Sequence, residues 1–454
     1  MPAADATQRI ADWIAAVPRS RTARAFGPAI EGLRDVLGCI LAGAGEEVPR
    51  KVAAAAGRWG GGAAHVIGTG MALPAPWAAL VNGAAAHVLD YDDTFEPLSG
   101  HATAVLAPAI LALAEQERSS GPDILDALVV GLEVMACVGR GVNPKHYALG
   151  WHATSTIGAI GAAAACARLL RLDAMQARDA LSLSVSMAGG TRMQLGADAK
   201  SVHAGLAAKA GILAATLAAE GVGGAPEALE GQWRFVELFA GRPAPDGVMA
   251  PPSDNVPLAV EQPGLSLKAY PTCAATHLSL DALLALRARE GFGPDDVAAI
   301  ESDLPITLRR NLMHDDPRTG MQARFSMTYC LAAATVQGSV GLADFEGEAI
   351  FRPALRAVMP RISMRGLPEP DSGPSPATIL TIRLRDGRVL TETRSERRGS
   401  TALPLTAAEQ EAKFRDCAGR LLPPARLDAA LAAIAGLAAA GDAPALVAAL
   451  RPIH

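Results

Sequence analysis

From Thr7 to about Ala240 the apolar residues recur three and four positions apart with few interruptions, and this long helical period decides most of what the chain can become. Ile10, Trp13 and Ile14 share one face, as do Ile30, Leu33, Val36, Leu37 and Ile40. Residues 77–88 and 102–114 are alanine-rich apolar runs. A further long helix is expected from just after Asp198 to Ala219, stopped by Gly221, Gly223 and Gly224. Half of the residues are hydrophobic but only 4% are aromatic, a balance that suits helices whose small side chains let their axes approach.

The pattern breaks at 243–264, where prolines at 243, 245, 251, 252, 257 and 263 mark a connector. Mixed α/β sequence follows. A leucine-rich helix is expected over 277–289, a buried helix over 326–336, and strands over 297–306 and 377–393. The second strand region places Leu380, Ile382 and Leu384 on one face before the Asp386-Gly387 hairpin signal. Alanine-leucine helix returns over 406–450, broken at Pro423-Pro424. At 454 residues the chain exceeds what one core comfortably serves. The expectation is a mainly α protein: a large all-helical domain, residues 1–262 plus 402–454, with a smaller α/β lid inserted at 263–401.

A net charge of −5 and the absence of any Lys/Arg block argue against nucleic acid. The first residues lack the basic-then-apolar plan of a leader, and apolar runs such as 157–167 end at a charge short of a membrane span. A cytoplasmic protein is expected. The six cysteines contain no C-x-x-C pair, so neither a disulfide framework nor a zinc site is suggested.

Chemistry concentrates in four segments. The first runs from His87-Val-Leu-Asp90-Tyr-Asp92-Asp93-Thr94 to His101, two histidines and three aspartates between runs that favour burial. A carboxylate beside a histidine makes it a better base. A solvated loop is the plain alternative, and His87, Asp90 and His101 around a cation is another. The second, Gly150-Trp-His152-Ala-Thr-Ser-Thr156, has the composition of a helix start, which attracts anions. In the third, Lys200 lies near the start of an alanine-rich helix, against the dipole, a hint of an anionic ligand; His203 is expected to pack. The fourth is Lys268-Ala-Tyr-Pro-Thr-Cys273, just past the connector, with Cys273 expected as a small buried hydrophobe and His277 as structural.

In order and spacing these segments resemble the MmgE/PrpD family, which includes 2-methylcitrate dehydratase, cis-aconitate decarboxylase and iminodisuccinate epimerase. The most specific matches are Asn82-Gly-Ala-Ala-Ala-His87-Val-Leu-Asp90-Tyr-Asp-Asp, Gly150-Trp-His152-Ala-Thr-Ser-Thr and Lys268-Ala-Tyr-Pro-Thr-Cys273. The resemblance implies a cleft site between helical domain and lid, a homodimer, and catalysis without metal or organic cofactor. It assigns the site to Asp90, Thr94, His101, His152, Lys200 and Lys268. The shared event would be removal of a proton next to a carboxylate, with cations around the resulting aci-carboxylate. His101 or His152 would be the base, and Asp90 would orient a histidine. Thr94 and Lys200 would bind substrate. Lys268 would bind it too, and protonate a leaving hydroxyl or stabilise the enediolate.

Departures bear on the substrate. Ala102 follows His101 where the family often has proline. Cys273 stands where the decarboxylase branch has histidine, and its lid tyrosine has no counterpart between Leu304 and Pro317. These disfavour decarboxylation. The stretch Lys145-His-Tyr147-Ala-Leu-Gly-Trp-His152 and the Phe95-to-Gly100 loop look more like the epimerase branch. The expectation is a hydro-lyase of the 2-methylcitrate dehydratase type acting on a di- or tricarboxylate. The alternative is an epimerase of an iminodisuccinate-like aminodicarboxylate. A decarboxylase and a non-catalytic helical binding protein stand behind these.

Overall fold

A computed structural model describes residues 5–370 and 375–452. Of the N-terminal segment read above for a leader, residues 1–4 lie outside the described residues. The helical period is realised as a bundle whose centre is the Asp198–Ala219 helix, packed against Ala75–Val88 and Ala153–Leu169. Glycine makes the close crossing possible, since a Cβ added at Gly83 would meet the Gly205 backbone at 2.6 Å. By length and composition alone Asp198–Ala219 could cross a bilayer, yet most of it is buried inside this bundle. The observed helix matches the expected span, whose first turn carries Lys200.

Beyond the connector, a separate hydrophobic core forms around Leu283, Ile300, Leu331 and Ile382. The sheet there has the order Ile362–Leu367, Val297–Pro305, Thr378–Leu384, Val389–Arg394. The first pair is parallel, with Ile300 opposite Ile362. The others are antiparallel, with Ile300 opposite Ile382 and Thr378 opposite Arg394. Leu380, Ile382 and Leu384 all face inward, against the His277–Glu290 helix, each contributing about 1.5–3 kcal/mol of burial. Asp386-Gly387 makes the hairpin between the last two strands, with Gly387 at φ +91°.

Two features differ from expectation. The large domain is not wholly helical, because Ala64–His65 pairs with Ala72–Leu73. The Ile362–Leu367 strand was not anticipated; its Ile-Ser-Met-Arg-Gly-Leu sequence is poor in β-branched residues and is held as an edge by its parallel partner. The chain then returns through Ala407–Ala418, which packs on Phe26–Gly43 in the first domain.

Candidate active site

The Ala75–Val88 helix ends at Leu89, and Asp90 leaves it in the left-handed region at φ 51°, a conformation Asp tolerates better than most residues. That turn directs the following acids inward. Asp90, Asp92 and Asp93 are all buried. The turn is fixed to the segment entering the lid by the backbone pair Thr94–Ser266, N–H to carbonyl at 2.8 and 2.9 Å.

Each acid has a different partner. Asp90 is gripped by both lysines: Lys200 Nζ contacts Oδ1, while Lys268 Nζ lies 3.0 Å from Oδ2 and donates to the Asp90 carbonyl at 2.7 Å. Burial alone would raise the Asp90 carboxyl, but the two ammonium groups hold it well below the usual range. Asp92 faces histidines, with Oδ2 at 2.8 Å from His87 Nδ1 and 3.1 Å from His101 Nδ1. Burial opposes its ionisation too, and His101 and His87 overcome that, again holding it low. Asp93 has no cation. It accepts from the Thr103 amide at 3.3 Å and from the Thr103 hydroxyl, and burial pushes it up to about 7.

His87, Asp92 and His101 bring ligand atoms within 4.8 Å of one another. The 2.8 Å separation is a hydrogen bond between His87 and the carboxylate, the 3.1 Å one a close contact of His101 Nδ1 that is not aligned as a hydrogen bond, and Lys200 Nζ stands 3.5 Å from His87 Nδ1. A cation placed there would meet an ammonium, so the trio reads as histidines oriented by a carboxylate. This corrects the expectation that Asp90 orients a histidine or joins His87 and His101 around a cation: Asp90 belongs to the lysines, and Asp92 is the carboxylate on His101.

These groups border a cavity of about 500 Å³ between the bundle and the lid. Asp90, Thr94, His101, His152 and Lys200 line it. Lys268, only 2% exposed, stands behind Asp90 and is not on the cavity wall. His152 is the N-cap of the Ala153–Leu169 helix, as the helix-start reading required, so the cavity meets the positive end of that helix. Burial lowers the pKa of His101, with Lys268 and Lys200 adding to it against the pull of Asp92, so the ring is neutral at neutral pH. His152 is lowered well below its ordinary value by burial, then by His87 and Lys200.

The lid side supplies residues that sequence reasoning passed over. Arg397, in the loop that follows the Val389–Arg394 strand, donates to the Thr94 hydroxyl at 2.6 Å, which leaves the Thr94 proton free to point into the cavity. Arg192 stacks 3.7 Å above the Tyr147 ring, donates to the Tyr147 carbonyl and contacts Asn311 of the lid, whose amide reaches the Tyr147 hydroxyl at 2.9 Å. Arg192 lay in a segment already singled out, and Asp92 lay inside the acidic cluster, five residues from His87. No local pattern announced Arg397 or Asn311. Cys273 faces the cavity as a thiol, pushed up to about 11 by burial, and His203 does more than pack, meeting His152 Nδ1 with its own Nδ1 at 2.9 Å.

The arrangement can receive a polyanion: Lys200, Arg192 and Arg397 on the wall, with Lys268 behind Asp90, outnumber the acids Asp90 and Glu96 on the wall and Asp92 behind it, and a neutral imidazole close to Asp92 faces the space. Comparison with known proteins agrees with this architecture. The MmgE/PrpD N-terminal domain matches residues 8–247 and the MmgE/PrpD C-terminal domain matches residues 270–437. Cis-aconitate decarboxylase of Mus musculus is 30% identical over 364 residues, 77% of this chain and 73% of its own. The enzyme of the same name from Homo sapiens is 30% identical over 367 residues, covering 77% and 74%. A cis-aconitate decarboxylase-like protein of Aspergillus oryzae is 25% identical over 409 residues, covering 85% and 84%. With both domains matched in order across most of its length, the chain belongs to the MmgE/PrpD family.

Proposed function

We propose that the protein is a cofactor-independent lyase for a di- or tricarboxylate, removing a proton next to a carboxylate and expelling water from the neighbouring carbon. The observation that carries this reading is His101 backed by Asp92 on the same cavity as Lys200 and the two arginines. A neutral imidazole whose Nδ1 faces an ionised carboxylate is a competent base, because the imidazolium it becomes is stabilised by that carboxylate. The aci-carboxylate formed on substrate gains negative charge, and Lys200 already stands beside it without reorganisation. Thr94, turned by Arg397, presents its hydroxyl proton to a second carboxylate. Lys268 keeps Asp90 and Lys200 in place. His152, held by a neutral partner instead of a carboxylate, suits the opposite task of giving a proton to the departing hydroxide.

A second reading, decarboxylation, is favoured by the names of the relatives. It would use the same cationic field for the carbanion left by carbon dioxide, with His152 as its proton source. One experiment separates these readings. The protein is incubated in deuterium oxide with citrate, 2-methylcitrate, cis-aconitate or iminodisuccinate and followed by proton NMR, ultraviolet absorbance and carbon dioxide release. Dehydration gives a new alkene with rising absorbance and no gas. Gas release assigns decarboxylation, and deuterium entry without an alkene assigns epimerisation. Inertness towards all four acids, with no ligand-induced change in melting temperature, would sink the enzymatic reading.

A further inference from the structure

We infer that His203 is the relay partner of His152, connecting it to solvent through a second cavity and delivering the proton that His152 gives up. The inference rests on the proposed proton-donating role of His152. The two rings meet Nδ1 to Nδ1 at 2.9 Å, with ring centres 5.1 Å apart. Such a contact is a hydrogen bond only when one ring carries the proton and the other a lone pair. No other hydrogen bond of the described residues engages either ring, so each keeps its Nε2 for another partner. His152 lines the cavity between bundle and lid. His203 lines a different one of about 350 Å³, with Ser155, Gly190, Leu206 and Lys209.

Space beside His203 is kept open by glycine. Gly190 has φ +112°, and a Cβ there would lie 3.2 Å from His203 Cε1 and 2.9 Å from Ser155 Oγ. Burial, with Lys200 nearby, lowers the pKa of both rings. Each ring therefore carries one proton at neutral pH, as a relay of two neutral imidazoles requires.

The step balances as follows. At rest His203 Nδ1–H donates to His152 Nδ1, and His152 carries its proton on Nε2. When His152 Nε2 yields that proton to the leaving hydroxide, forming water, the His203 Nδ1 proton moves to His152 Nδ1. A hydronium of the second cavity protonates His203 Nε2 in the same event. Both rings end neutral in the alternative tautomer, and one solvent proton has been transferred. The C–H proton stays on His101 until it returns to solvent. With substrate filling the first cavity, His152 can be supplied only from the Nδ1 side, and His203 occupies that side.

The test uses the full-length protein. Glutamine can still hydrogen-bond His152 but cannot carry a proton through itself. His203→Gln is expected to lower kcat at least tenfold with KM within twofold. His203→Ala is expected to lose as much, and added imidazole, which the enlarged cavity admits, to restore most of it. A merely structural role would not respond to imidazole. Unchanged kcat in His203→Gln, or a folded His203→Ala that imidazole leaves slow, overturns the relay while the lyase reading stands. If wild-type protein turns over none of the four acids, the lyase reading fails instead. Nitrogen-15 NMR of histidine-labelled resting protein then decides the relay alone: complementary tautomers with one shared Nδ1 proton support it, and two Nε2–H tautomers overturn it.

Discussion

Two buried lysine sites hold adjacent carbonyls of the same turn, and they are built to different rules. Lys413, on the returning Ala407–Ala418 helix, sits 2.7 Å from Asp35 Oδ1, donates to the Tyr91 carbonyl at 2.8 Å and lies 4.0 Å above the Tyr91 ring. Burial would lower the Lys413 pKa, but Asp35 more than reverses that and pushes it up. One cation meets one anion, away from the cavity that Asp90 and Lys200 line. One residue earlier in the turn, Lys268 makes the same kind of bond to the Asp90 carbonyl, but there two ammonium groups share one carboxylate and Lys200 and Asp90 face the cavity. Both arrangements hold the turn. Only the second leaves unsatisfied positive charge where a ligand can reach it. Burial and pairing alone therefore do not mark a functional charge; surplus and access do.

The largest effect should come from removing the surplus. Lys200→Met is expected to cost about 10³-fold in kcat/KM on the acid that the wild-type protein accepts, while Asp90 keeps Lys268 and stability falls by less than about 2 kcal/mol. Urea unfolding alongside steady-state kinetics checks both halves. Lys413→Met should do the reverse. It strands Asp35 in the interior, so stability should drop by about 3–5 kcal/mol, with kcat of the folded protein close to wild type. If Lys413→Met abolished turnover without lowering stability, the division between a structural and a functional lysine would be wrong.

The contrast was only half legible in the sequence. Helix spacing placed Asp198–Ala219 and His277–Glu290 nearly to the residue, because a long period of apolar positions reports burial directly. The acidic cluster was visible for the same reason: charges between apolar runs have few places to go. What sequence could not supply was the pairing inside the cluster. Asp90 and Asp92 are two residues apart, yet the left-handed backbone at Asp90 sends one to lysines from distant segments and the other to His87 and His101. The family resemblance had given Asp90 to a histidine, and the turn reversed it. Arg397 and Asn311 were hidden because their roles arise where the lid meets the bundle, from segments with no pattern of their own.

Asp93 sharpens the comparison at its smallest scale, because it is the acid of the turn that meets neither a lysine nor a histidine. Its Oδ2 is buried and has no hydrogen-bond partner, and burial, with Asp92 and Asp35 nearby, pushes its carboxyl up to about 7. In the unfolded chain the group would titrate near ~4. A pKa raised on folding contributes stability fully below that lower value and loses it as pH climbs towards 7, where the buried carboxyl must ionise without compensation. Asn at this position keeps the carbonyl that accepts from Thr103 and carries no charge. Asp93→Asn should therefore melt close to wild type near pH 4.5 and become progressively the more stable of the two up to pH 8, by a few kcal/mol at most. Activity should change little, because Asp93 does not line the cavity. A difference in melting temperature that stayed flat across this range would mean that Asp93 has found a counter-charge, and that partnering does not distinguish the three acids of the turn.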